Sequence, residues 1–171
     1  MKPKGRQAIV MDMDVPTTAV ATADLAGLLA DHFAIMPPVA ALQLRVQSVE
    51  PQRVVLAAPL AANLNDKGCA FGGSLVSAMT LACWGLVTSA LAREGIDADV
   101  FVADSHVRYL RPVFEDLRVE ATFADADAVP VMLAAMDRVG RASVDLCARV
   151  RLAAGGRAAS FQGRYVAIAK G

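Results

Sequence analysis

Gly68, Gly72 and Gly73 crowd together directly ahead of a run that carries no charge as far as Ala92. Glycines allow close backbone approach and unusual dihedrals. If a helix begins at that point, its first N–H groups lack internal partners and sit at the positive end of the helix dipole. Such a terminus can hold a carbonyl oxygen and stabilise the oxyanion that forms from it. The same glycines would equally suit a tight turn that admits a helix into a crowded core. Ser77, Thr80, Trp84 and Thr88 follow at spacings that put them on one helical face. That stripe suits the lining of a pocket or a subunit interface, although buried hydroxyls also bond back to helix carbonyls and do nothing more.

Acid–base candidates are few. His32 falls at the solvent boundary of an amphipathic segment, and Asp104 and His106 share one face of a strand without a fixed partner. Cys69, beside the glycines, reads as a nucleophile activated by the helix terminus or as a small loop filler. Arg108, Arg111, Arg138 and Arg141 could bind phosphates, and solvated arginines explain them as well. The three cysteines, Cys69, Cys83 and Cys147, include no CxxC pair, so neither a disulfide framework nor a zinc site is expected. No metal and no cofactor is expected.

Positioning these groups requires the following elements. Thr22 can cap a helix whose apolar stripe is Leu25, Leu28, Leu29, Phe33 and Met36, stopped by Pro37-Pro38. Leu42, Leu44 and Val46 alternate with polar residues as a strand, Pro51-Gln52 turns, and Val54 to Leu60 returns. After the loop 61–72 the uncharged segment predicts a helix from Gly73 to Arg93, buried on all sides. Strands are predicted over Val100–Leu110, Leu117–Phe123, Ala142–Leu152 and Ala158–Ala169. A short helix is expected over 129–140, with Gly140 as its C-cap. Short connections make the strands antiparallel. Six strands with one central helix imply an antiparallel sheet curled around it, an α+β class.

The 171 residues bound this to one domain. Hydrophobic residues make up 56% and charged residues 20%, which excludes disorder. Lys plus Arg (17) equals Asp plus Glu (17), which argues against nucleic acid as a partner. The uncharged run raises the question of a membrane span, yet adjacent glycines and hydroxyl residues interrupt it, and its neighbours alternate like soluble strands. The apolar run at Ala8–Met11 is broken by Asp12 and Asp14, so it fails as a signal-peptide core. Residues 1–16 are expected to form a flexible arm and 17–171 the single domain, in the cytoplasm and not in a membrane.

At this point the residues resemble a family. Asn65-Asp-Lys-Gly68-Cys-Ala-Phe71-Gly72-Gly73-Ser74 looks like the motif of the hotdog-fold acyl-CoA thioesterases, in which asparagine, glycine and His-Gly-Gly lead into the central helix. Val107-Arg-Tyr109-Leu110-Arg111-Pro112-Val113, Gly140-Arg141-Ala142 and Gly163-Arg164-Tyr165 resemble later strands of that fold. Two departures stand out: Phe71 occupies the histidine position, and Thr80 occupies that of the helix acid. Phe-Gly-Gly-Ser with Trp84 is similar to a narrower branch, the thioesterase domain that some bacteria fuse behind an acetyltransferase domain. The resemblance implies a hotdog fold and an acyl-CoA or acyl-carrier-protein thioester held between the subunits of a homodimer or a dimer of dimers. Asn65 and Gly73 would hold and polarise the carbonyl, while Ser77 and Thr80 would orient water. Asn63, Gly68, Phe71, Gly72, Ser74, Trp84, Arg111 and Arg141 would contact substrate. The missing acid keeps open a non-catalytic acyl-thioester binding module, and a purely structural oligomerisation domain is the third reading.

Overall fold

In the computed structural model, which describes residues 22–170, the elements follow one another in a simple order. α1 (Thr22–Ile35) and a single turn, α2 (Pro37–Ala40), precede the hairpin β1 (Arg45–Glu50) and β2 (Arg53–Ala58). The glycine loop then enters α3 (Gly72–Arg93). β3 (Ala98–Tyr109), β4 (Leu117–Phe123), α4 (Ala128–Val139), β5 (Arg141–Arg151) and β6 (Arg157–Ala169) complete the chain. The strands form one antiparallel sheet in the order β1-β2-β4-β5-β6-β3. β2 through β6 pack on α3, and α1 lies on β1 and against α3. This is the α+β hotdog architecture, a sheet wrapped around one long central helix.

Alternation builds the inner face. Leu117, Val119, Ala121 and Phe123 on β4 point inward, as do Ala142, Val144, Leu146, Ala148 and Val150 on β5. They meet Leu75, Ala78, Met79, Ala82, Leu86 and Val87 of α3 in one apolar cluster. α1 adds Leu25, Leu29 and Phe33. Leu29 seats against Gly85 of α3, where a Cβ would come within 3.0 Å of its Cδ1. On β6, the fully buried Tyr165 donates its hydroxyl proton to Thr80 O at 2.8 Å and fixes the middle of α3 to the sheet. Burial pushes the Tyr165 phenol and the neighbouring Cys83 thiol well above their ordinary ranges, so both stay neutral.

Several boundaries differ from expectation. Pro37 and Pro38 end α1 but also open a helical turn, since proline suits the first helical positions. Bonds from Leu42 N to Val39 O and from Gln43 N to Ala40 O extend that turn, and Gln43 leaves it at φ 53°. β1 therefore starts at Arg45 rather than Leu42. α4 begins at Ala128, ahead of Pro130, and ends at Gly140 with φ 63°, the left-handed cap that its sequence position implies. α3 is not buried on all sides: Gly72, Gly73, Val76, Ser77, Thr80, Leu81, Trp84 and Thr88 form a half-buried strip that the sheet leaves uncovered. α3 is long and apolar enough to cross a bilayer by length and composition, but its other faces are covered by strands. The arm expected over 1–16 lies outside the described residues.

Two expectations follow for stability. Leu29→Ala opens a cavity between α1 and α3 and lowers unfolding free energy by about 2–5 kcal/mol in urea titrations, with the m-value unchanged. Tyr165 stays protonated when folded but ionises near pH 10 when unfolded, so the native state binds more protons there and loses stability as pH rises. Above about pH 10 the unfolding free energy of the wild type, from urea titrations, should fall more steeply than that of Tyr165→Phe, by up to about 1.4 kcal/mol per pH unit. Parallel curves would rule out this linkage.

Candidate active site at the start of the central helix

Asn65 organises the loop that delivers α3. Its Oδ1 accepts from Lys67 N at 2.8 Å and from Cys69 N at 3.2 Å, while its Nδ2 donates to Cys69 Sγ at 3.2 Å. Its backbone N–H donates to Cys69 O at 2.8 Å, which closes the turn through Gly68 at φ 74°. The second Nδ2 hydrogen of Asn65 has no partner among the described residues. Asn63 is buried and its amide donates to Leu42 O at 3.0 Å and Pro59 O at 2.8 Å, so this side chain ties the loop to the body. The backbone carbonyl of Asn63 accepts from Phe71 N at 2.7 Å, which sets the entry into α3. Cys69, buried under this loop, is a filler in contact with Asn65.

α3 opens on Phe71 with no side-chain cap. The N–H groups of Gly72, Gly73 and Ser74 precede the first intrahelical bond, made by Leu75 N to Phe71 O at 3.1 Å. Two aromatic rings frame them. The Tyr109 hydroxyl donates to Gly72 O at 3.2 Å from the end of β3. The Phe71 ring lies over Gly73, where a Cβ would stand only 2.2 Å from Phe71 Cε1, so glycine is what lets the ring settle there. Phe71 is 55% exposed, which leaves the helix start open to the outside past that ring.

The half-buried strip continues the site along α3. At 1.5 Å rise per residue, Ser77 lies about 6 Å from Gly73, Thr80 about 10 Å and Trp84 about 16 Å. Ser77 is thus near the helix start, whereas Thr80 and Trp84 lie beyond reach of a group bound at their own Gly73. Trp84 donates Nε1–H to Val100 O at 3.2 Å and its ring lies tilted at 54° beside that of His32, centroids 5.4 Å apart. These rings flank a cleft of about 440 Å³ between α1, the far half of α3 and the beginning of β3. His32 Nδ1 donates to Leu28 O at 2.8 Å, leaving Nε2 for the cleft.

Other expected residues are distributed differently. His106 and Asp104 face the outer side of the sheet, away from α3, and Asp104 pairs with Arg164. Arg111 is exposed just past β3, its N–H donating to Ala158 O. Arg141 opens β5 opposite Ile168, at the other end of the sheet from Gly72. Tyr109 is the contact that sequence spacing concealed. A bulge between Val102 and Asp104 shifts the alternation of β3, so Tyr109 shares the inner face with Val100 despite the odd spacing.

Comparisons with known proteins match this geometry. Residues 27–169 match the family described as "Putative thioesterase (yiiD_Cterm)". A crystal structure of a protein of unknown function from Chlorobaculum tepidum is 27% identical with a TM-score of 0.77, covering 87% of this chain and 94% of that one. One described as a "putative thioesterase" from Shewanella oneidensis is 29% identical with a TM-score of 0.76, covering 85% and 99%. A third, described as a "probable thioesterase" from Pseudomonas aeruginosa, is 22% identical with a TM-score of 0.71, covers 90% and 99%, and supports the fold. The open glycine-led helix start, the wrapped sheet and the family match over most of its length agree: this chain belongs to the hotdog-fold family described as "Putative thioesterase (yiiD_Cterm)", whose general chemistry is thioester hydrolysis.

Proposed function

We propose that the protein hydrolyses an acyl-CoA or acyl-carrier-protein thioester, as a cytoplasmic homodimer or dimer of dimers. The observation that carries this reading is the uncapped start of α3, with free N–H groups at Gly72, Gly73 and Ser74 at the head of the strip that the sheet leaves uncovered. The acyl carbonyl accepts from Gly72 and Gly73, and the spare Nδ2 hydrogen of Asn65 helps hold it. Water adds to the carbonyl carbon, the oxyanion rests on the same N–H groups, and the C–S bond breaks as the thiol leaves with a proton. Gly68 and Phe71 shape the entrance, Ser74 completes the helix start, and Arg111 meets the polar part of the carrier, whereas Arg141, outward at the far end of the sheet, takes no part. Asn63 acts through the loop.

Support for the dimer comes from β3, a 12-residue strand with one edge unpaired among the described residues and with Val102 and Tyr109 exposed on its inner face. Long bare edges invite pairing. A two-fold axis normal to the sheet sets β3 against its own copy antiparallel and lays the two α3 helices side by side. β3 ends beside the start of α3 and begins just past its end, so the start of each α3 meets the far half of the other. Thr80 and Trp84 of one copy then serve the Gly73 of the other, and the acyl group enters the cleft beside Trp84. Free thiols at Cys69, Cys83 and Cys147 suit the cytoplasm.

The described strip carries hydroxyls and no carboxylate, which also favours the second reading, a binding module that retains the pocket without a base. Hydrolysis of an acyl-CoA panel, followed by loss of thioester ultraviolet absorbance, separates the two. The enzyme is expected to turn over slowly, with kcat/KM rising through about pH 6–9 because, with no carboxylate base on the described strip, the attacking water loses its proton to solvent hydroxide. Thr80→Ala should lower kcat at least about tenfold without unfolding the chain. Tight acyl-CoA binding without turnover would leave the binding module. Asn65→Ala removes a loop anchor as well, so Cys69 alkylation should quicken in it. Val102→Lys should yield monomers by light scattering and lose turnover; a persisting dimer would refute β3 pairing.

A further inference from the structure

The outer face of the sheet carries a second polar site that thioester chemistry does not use. Register fixes its geometry. Phe161, Ala148 and Val150 are buried inward, so Ser160, Gln162 and Arg149 point to the opposite face. On β3, Val107 packs on the core while His106 and Arg108 face outward. Arg108 pairs across the sheet with Ser160, and Ser160 pairs with Arg149. The three strands thus align two arginines on either side of one serine hydroxyl, with strand positions about 10 Å apart. The next pair along, His106 opposite Gln162, adds donors on one side. Arg157 adds a third cation on the other, and together these residues line a cleft of about 210 Å³.

Charge on this face is segregated. Arg164 pairs with Asp104, and Arg151 reaches Glu120 at 3.7 Å. Arg108, Arg149 and Arg157 have no carboxylate partner among the described residues, and no carboxylate lines their cleft. Glu120 stands across from Arg149 in register, but its ion pair is with Arg151. Three guanidiniums gathered without an anion repel one another, and each presents a planar fork of donors. A dianion with three terminal oxygens can accept from two or three of these forks and from Ser160 together, where a carboxylate has only two oxygens. We infer that this cleft binds a phosphate monoester, with Arg108 and Arg149 clasping the group above Ser160 and Arg157 completing its charge balance. The site stands independently of the thioesterase reading.

Calorimetric titration of the full chain tests this with inorganic phosphate and with adenosine 3′,5′-bisphosphate. Saturable binding with Kd below about 1 mM at low salt is expected, weakening as sodium chloride is raised. Arg108→Gln and Arg149→Gln should each weaken it about tenfold or more, while Arg164→Gln should leave it unchanged. These side chains lie on the outer face, and unchanged melting temperatures will show that the variants fold. If the bisphosphate binds more tightly and displaces phosphate, the natural source is a nucleotide phosphomonoester. If phosphate binds and the bisphosphate does not, it is a smaller phosphorylated molecule. Absence of saturable binding by either probe, or equal affinity in wild type and Arg108→Gln/Arg149→Gln, overturns the inference.

Discussion

Everything in this fold depends on covering one helix. α3 is too apolar to stand in water, and a single neighbour could hide only one of its faces. β2 through β6 wrap it from one side and α1 seals part of the other. Wrapping demands that each strand present an unbroken apolar inner face, which is why alternation on β4 and β5 is so regular. It also demands firm attachment midway, supplied by the Tyr165 bond to Thr80 O. What the wrap leaves over is a half-buried strip of glycines, hydroxyls, one indole, Val76 and Leu81, and the thioester chemistry proposed above draws on that remainder.

The helix start is built by the same economy. Asn65 and Asn63 look alike in the sequence, two residues apart, but their surroundings divide their labour. Asn63 is enclosed and holds backbone carbonyls, whereas Asn65 turns the loop on itself and keeps one hydrogen in reserve. The loop therefore arrives at Phe71 in a fixed direction, and the dipole of a 22-residue helix is aimed at whatever approaches past that ring.

Much of this could be read from residue order. Period-two alternation located β4, β5 and β6 within a residue or two, and Gly140 marked the end of α4, because these signals come from local geometry. The polar stripe of α3 was legible for the same reason, and the sheet leaves that face uncovered. Two features resisted. The bulge in β3 is an accommodation to its neighbour β6, so no property of residues 98–109 alone reveals which way Tyr109 faces. The late start of β1 reflects a competition that helix bonds at Val39 and Ala40 win over an alternating pattern. The division between Arg164, with its carboxylate, and Arg108 and Arg149, without one, likewise appears only once three strands are aligned.

The Phe71 ring over Gly73 has a kinetic meaning. In many enclosed sites a loop or domain must swing aside, a motion of microseconds to milliseconds that can pace the whole cycle. Here the obstruction is one half-exposed side chain turning about its own bonds. Exposed side chains change rotamer in picoseconds to nanoseconds. Rotation of this ring is therefore far faster than the bond-making step proposed above, so the ring itself does not pace that step.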